Sequence, residues 1–192
     1  MKLIFATHNQ NKVFEIKNLV KSNIQITSLA ELNDYEEILE TGKDLIENAI
    51  LKSRTIHHRH QMNCFADDTG LEVEALNGEP GVFSARYAGE HGNAEKNIEK
   101  LLQNLKNESN RNARFKTVIS LIIDGKELLF EGIAEGEIAT VRSGTGGFGY
   151  DPIFIPKGYS VTFAEMTLEQ KNKISHRAIA FYKLIDHLNN LL

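Results

Sequence analysis

Apolar positions change their spacing repeatedly along this chain, and each change marks an element. Residues 2–6 (Lys-Leu-Ile-Phe-Ala) are a short, mostly apolar run that predicts a buried strand. After a polar turn, Val13, Ile16, Leu19 and Val20 recur at helical spacing, and residues 24–28 return to a strand pattern, so the chain opens on a β-α-β unit. Leu45, Ala49, Ile50, Lys52 and Ile56 predict a longer helix that runs into a basic, polar stretch. Cys64 to Ala66 reads as a short strand entering the turn-like Asp67-Asp68-Thr69-Gly70, and 71–75 as a further strand. Residues 93–106 predict an amphipathic helix with Ile98, Leu101, Leu102 and Leu105 on one face.

The texture then changes. Residues 113–123 and 126–138 read as β runs, and Asp124-Gly125 between them is the chain's clearest hairpin signal. A Gly-rich loop (143–149), an extended Pro-bounded stretch (151–156) and a final helix over about 176–190 follow, with Ser175 placed to cap that helix. Helices and strands intermix and the hairpin is antiparallel, so the fold class is α/β with a mixed sheet. No Ser/Pro/Gly-rich linker interrupts the chain, so residues 1–192 are expected to form a single domain.

Composition narrows the function classes. A chain of 192 residues hides roughly 70% of its unfolded surface and needs no covalent staples. The 22 basic against 26 acidic residues leave a net charge of −4, which argues against a protein that coats nucleic acid or a membrane surface. Cys64 is the sole cysteine, so no internal disulfide forms. No segment reaches ~20 consecutive apolar residues and the N-terminus lacks the form of a signal peptide, so a cytoplasmic location is expected.

Four segments can carry chemistry. Thr7-His8-Asn9-Gln10-Asn11-Lys12 joins a strand to a helix, where free backbone N–H groups and the helix dipole suit a phosphate; an ordinary capped helix with an exposed lysine is the plainer reading. Asp67 and Asp68 end an apolar strand, and with an upstream glutamate they could hold Mg²⁺ or activate water; a plain turn is the alternative. Four of the 14 glycines fall within 144–149, a density that permits close approach to a ligand, with Phe148 and Tyr150 offering flat faces to a base. Lys171 and Ser175-His176-Arg177 gather donors at the start of the last helix, where cations oppose the dipole. His57-His58-Arg59-His60 reads as a solvated helix end, Glu36 and Glu37 as solvated acids, and Cys64 as a small core residue.

Taken in order, Thr7-x-Asn9-x-x-Lys12, Glu40-Thr41-Gly42 with Glu47-Asn48-Ala49, Ala66-Asp67-Asp68-Thr69-Gly70-Leu71, Pro80-Gly81-Val82-Phe83-Ser84-Ala85-Arg86-Tyr87, Gly146 to Pro152 and Ser175-His176-Arg177 resemble the noncanonical purine nucleoside triphosphate pyrophosphatase family, the inosine triphosphate pyrophosphatase-like proteins. The resemblance spans essentially the whole chain. It implies a long mixed central sheet flanked by helices, two lobes with the active cleft between them, and a homodimer. It also implies Mg²⁺-dependent hydrolysis of inosine, deoxyinosine and xanthosine triphosphates to monophosphate and pyrophosphate, with no nucleic-acid or membrane partner. By the same resemblance, Asp68 would be the general base and share Mg²⁺ with Glu40. Thr7, His8, Asn9, Gln10, Asn11 and Lys12 would hold the triphosphate. Thr69, Phe148, Gly149, Tyr150, Asp151, Lys171, His176 and Arg177 would hold the remainder of the substrate. Many relatives have Gly where this chain has His8. A Maf-like nucleotide pyrophosphatase and a non-catalytic nucleotide sensor are the competing readings.

Overall fold

The computed structural model describes residues 1–20 and 24–190. The opening unit consists of β1 (Lys2–Phe5), α1 (Gln10–Leu19) and β2 (Gln25–Ser28), with β1 and β2 parallel from Lys2↔Gln25 to Phe5↔Ser28. α2 (Leu45–His60) leads to β3 (Cys64–Val73), whose start pairs in parallel with β1 through Ile4↔Cys64 and Phe5↔Phe65. Short β4 (Pro80–Gly81) lies antiparallel to the end of β3, and α3 (Ala94–Asn104) follows. The long pair β5 (Asn112–Ile123) and β6 (Lys126–Ile138) turns through Asp124 and Gly125 at φ 48° and 75°, the two positive-φ positions that a tight two-residue hairpin demands. β7 (Phe154–Pro156), α4 (Leu168–Asn172) and α5 (His176–Asn189) complete the chain. The sheet order is β2-β1-β3-β5-β6-β7 with β4 beside β3, and parallel and antiparallel pairs coexist, as the α/β, mixed-sheet reading requires.

The chain divides into two compact units, Met1–Asp68 with Thr117–Gly132 and Arg177–Leu192, and Thr69–Lys116 with Ile133–His176. In the first unit the sheet is buried on both faces. Leu3, Phe5 and Phe65 pack with Val13, Ile16 and Leu19 of α1 and with Phe181, Leu184 and Leu188 of α5. Ile4, Ala6, Cys64 and Ala66 pack on the other side with Ile56 of α2. Phe5 and Phe65 stack with centroids 4.5 Å apart. The second unit has its own core, built on Leu71, Val73, Ile98, Leu101, Phe115, Tyr150, Phe154 and Phe163.

One element departs from expectation. Residues 64–73 are a single strand with no turn at Asp67-Asp68-Thr69-Gly70. Aspartate and glycine favour turns, but here both carboxylates are buried and paired with cations, and that pairing outweighs the local preference.

Candidate active site

Alternation along β3 sends neighbouring carboxylates to opposite faces. Asp67 follows Phe65 towards the side of α1 and α5, and Asp68 follows Ala66 towards α2.

Asp68 meets α2. Its Oδ1 accepts from Lys52 Nζ at 3.0 Å and its Oδ2 from Asn48 Nδ2 at 3.2 Å. The same Lys52 ammonium donates to Glu40 Oε1 at 2.6 Å, so the two expected metal carboxylates meet at one buried cation. Burial raises the Asp68 pKa, and the nearby Lys52 and Lys12 charges do not fully offset it. Lys52 is itself penalised by burial, but Asp68 and Glu40 outweigh that and hold its pKa above the ordinary lysine value. Among the described residues, no group of three or more His, Cys, Asp or Glu side chains is set to hold a metal. Glu40 and Asp68, drawn together by the Lys52 ammonium, nevertheless have the hard oxygen chemistry that fits Mg²⁺, which takes one or two protein carboxylates and completes its shell with water and phosphate oxygens.

Asp67 meets α1 and α5. Its Oδ1 accepts from Lys12 Nζ at 2.9 Å and its Oδ2 from Arg177 Nε at 3.1 Å. Burial opposes its ionisation, yet Lys12 and Arg177 hold its pKa far below the usual carboxylate range. It is therefore an ionised anchor, not a group that takes a proton.

The turn entering α1 is ordered by its own side chains. Asn9 caps the helix, its Oδ1 accepting from the backbone N–H of Asn11 and Lys12 at 3.0 and 3.3 Å, and Thr7 Oγ1 accepts from Asn9 N at 3.2 Å. Gln10 Nε2 donates to the His8 carbonyl at 3.4 Å. The His8 ring nitrogen Nε2 lies 3.1 Å from the Asp34 carbonyl, so the imidazole is engaged by the protein itself. Lys12 is half-buried with its ammonium on Asp67, in contrast to the exposed lysine of the plainer sequence reading.

The second unit carries a separate cluster. Asp151 Oδ2 accepts from Lys171 Nζ at 2.6 Å and from Phe148 N at 2.8 Å. The Lys171 ammonium sits 5.3 Å from the Phe148 ring centroid and 5.5 Å from that of Phe163. A cation beside aromatic faces is a favourable arrangement when both are shielded from water. His176 is buried and stacked on Phe115, centroids 4.4 Å apart and planes 15° from parallel. Gly147 has φ 69°, and a Cβ there would stand 2.0 Å from Asp151 Oδ2, so this glycine is required. Gly149 is also at positive φ, and Thr69 is half-buried at the start of this unit.

Three segments have partners that the sequence did not indicate. Tyr150 is buried in the core and its hydroxyl donates to the Ser84 carbonyl at 3.0 Å, with burial raising its pKa. Arg177, grouped by sequence with Lys171 and His176, has its guanidinium on Asp67 and Glu15, because successive helical residues point about 100° apart. The basic end of α2 is not simply solvated: Arg59 Nη1 and His60 Nε2 both reach the Asp34 carboxylate, at 2.7 Å each. Glu36 and Glu37 are exposed as expected, and Cys64 is buried with its thiol pushed up to about 12.

Sequence reasoning missed the partners that hold the acids. Lys52 and Asn48 were absorbed into a helical pattern, yet a lysine on an apolar stripe is itself a signal, since buried lysines occur almost only when paired. Glu15, between Val13 and Ile16, carried the same signal.

The chain as a whole is similar to known proteins. A model of the Ham1 family matches residues 3–187. A protein of Christiangramia forsetii named dITP/XTP pyrophosphatase is 56% identical over 189 residues, covering 98% of this chain and all of its own. A protein of Porphyromonas gingivalis with the same name is 52% identical over 188 residues, 97% of each chain. Among solved structures, the Staphylococcus aureus Ham1 protein superposes with a TM-score of 0.89 at 42% identity over the whole of both chains.

Proposed function

The chain belongs to the Ham1 family, and from that premise we propose that it hydrolyses noncanonical purine nucleoside triphosphates, dITP, ITP and XTP, to monophosphate and pyrophosphate. The observation that carries this reading is the meeting of Asp68, Glu40, Asn48 and Lys52 on one side of β3, with Lys12 held by Asp67 on the other.

Each residue then has a task. The turn 7–12 and the Lys12 ammonium bind the triphosphate tail, using the positive helix terminus and a fixed cation. Mg²⁺ bound by Glu40 and Asp68 would supply charge neutralisation on the phosphates. Asp68 accepts the proton of the attacking water, a role suited to a carboxylate whose affinity for protons is raised by burial. Asn48 and Lys52 fix its orientation. The bond broken is the bridge between the α- and β-phosphates, and pyrophosphate leaves.

Selectivity follows from donors. A 6-oxo purine presents an acceptor where adenine presents an amino group, so Lys171 and His176 satisfy the first and face a donor in the second. Phe148 supplies the apolar face beside that ammonium. A panel of nucleotides assayed with Mg²⁺ and separate pyrophosphate and phosphate readouts tests the reading. Pyrophosphate from dITP and XTP, with dATP much slower, is expected; orthophosphate release would overturn the assigned bond. We expect a cytoplasmic homodimer, twice the 21.6 kDa chain mass in light scattering.

A further inference from the structure

A buried chain of alternating charges begins inside α1 and returns to it. The Glu15 carboxylate accepts from Arg177 Nη1 at 2.5 Å, and Arg177 Nε donates to Asp67 Oδ2 at 3.1 Å. Asp67 Oδ1 accepts from Lys12 Nζ at 2.9 Å. Glu15, Arg177 and Asp67 are 6%, 2% and 1% exposed. Of the four side chains Lys12 is the most open, at 14%.

Position 15 has no packing reason to be charged. It lies on the buried face of α1 beside Val13, Ile16 and Leu19, where an aliphatic side chain would serve the core. Lys12 and Glu15 stand three residues apart on one helix, a spacing at which they could pair directly. They are joined instead through α5 and β3. The circuit fixes α1 to two other elements and sets the place where its lysine ends. Arginine suits the middle position because its planar fork holds one carboxylate on Nη1 and another on Nε in fixed directions, where a lysine would offer both the same single nitrogen.

We propose that Glu15 is a positioning residue for triphosphate binding, acting through Arg177 and Asp67 to fix the Lys12 ammonium. The inference rests on the reading that Lys12 binds the phosphate tail. With Glu15 neutral, Arg177 loses the carboxylate that holds its Nη1, and the Asp67 oxygen that holds Lys12 loses its fixed position. Lys12 also faces Asp68 from β3 and Lys52 from α2, so a displaced ammonium has competing attractions and repulsions.

The test is a double-mutant cycle on dITP hydrolysis with Glu15→Gln, Lys12→Met and the pair. Glu15→Gln is expected to raise KM roughly 10-fold while kcat stays within about 3-fold, a coupling of ordinary size for one network. In the Lys12→Met background the same change is expected to alter KM by less than about 2-fold, because the group it positions is gone. Multiplicative KM effects in the double variant, or a kcat loss with unchanged KM, would overturn the proposal, since a purely structural role has no reason to vanish with Lys12. Thermal unfolding is followed for every variant. If Glu15→Gln is unfolded at the assay temperature, the cycle is run with Glu15→Asp, which keeps the charge and shortens the reach; non-additivity with Lys12→Met is again required. Binding of inorganic triphosphate by calorimetry repeats the cycle without turnover. Wild-type protein inert towards dITP therefore counts against the proposed function, while additivity in the binding cycle counts against Glu15.

Discussion

Asp67 and Asp68 are chemically identical neighbours with opposite electrostatic surroundings. One is held ionised by two cations; the other is buried against one ammonium and an amide. Asp68→Asn is accordingly expected to lower kcat for dITP by roughly 10²–10⁴-fold while leaving KM nearly unchanged, as loss of a general base does. Near-normal turnover would remove Asp68 from that role. Lys171→Met, which removes the donor beside Phe148 and leaves Asp151 buried without that ion pair, is expected to reduce the preference for dITP over dATP, measured as the ratio of kcat/KM values. At this scale the sequence displayed the groups proposed to react but not their holders. Asp68, Glu40 and Lys12 stand in recognisable patterns, whereas Lys52, Asn48 and Glu15 are named only by who they touch across 16, 20 and 162 positions of chain. Pairings at that separation leave no local trace in spacing or composition.

Elements were legible where their own periodicity decided them. The hairpin at Asp124-Gly125, α1, α2, α3 and α5 all follow from apolar spacing and turn chemistry. β3 was not, because its middle is made of turn-forming residues whose burial depends on cations from α1, α2 and α5. α4 was missed as well; it has only five residues and rests on a capping box between Thr167 and Gln170. The cap at Asn9 offers a direct test of the α1 entrance. Asn9→Ala leaves the N–H groups of Asn11 and Lys12 without their acceptor and is expected to destabilise the protein by about 1 kcal/mol, read as a lowered denaturant midpoint. Gly147→Ala forces a Cβ into the Asp151 carboxylate at a positive φ, and is expected both to lower the denaturant midpoint and to raise KM for dITP.

For the molecule as a whole, the −4 charge argues against a long polyanion, while the proposed triphosphate calls only for local cations such as Lys12. Acid sensitivity is set by buried carboxylates, and Asp34 gives the clearest window. Burial alone would raise its pKa, but hydrogen bonds from Arg59 and His60 bring it down to about 2. A carboxyl lowered on folding stabilises above its unfolded pKa near 4 and loses that contribution as pH falls towards about 2, at most about 2 kcal/mol. Urea midpoints measured across that range should fall for the native protein and fall less for Asp34→Asn. The uninterrupted course of β3 has one more consequence, for its tolerance of length changes. Inserting one residue between Cys64 and Asp67 reverses the strand's phase and hands each aspartate to the other's cations. Inserting two restores the phase. An odd-numbered indel there is thus expected to break both sets of ion pairs whatever residues it adds, while an even-numbered one keeps each aspartate on its own face.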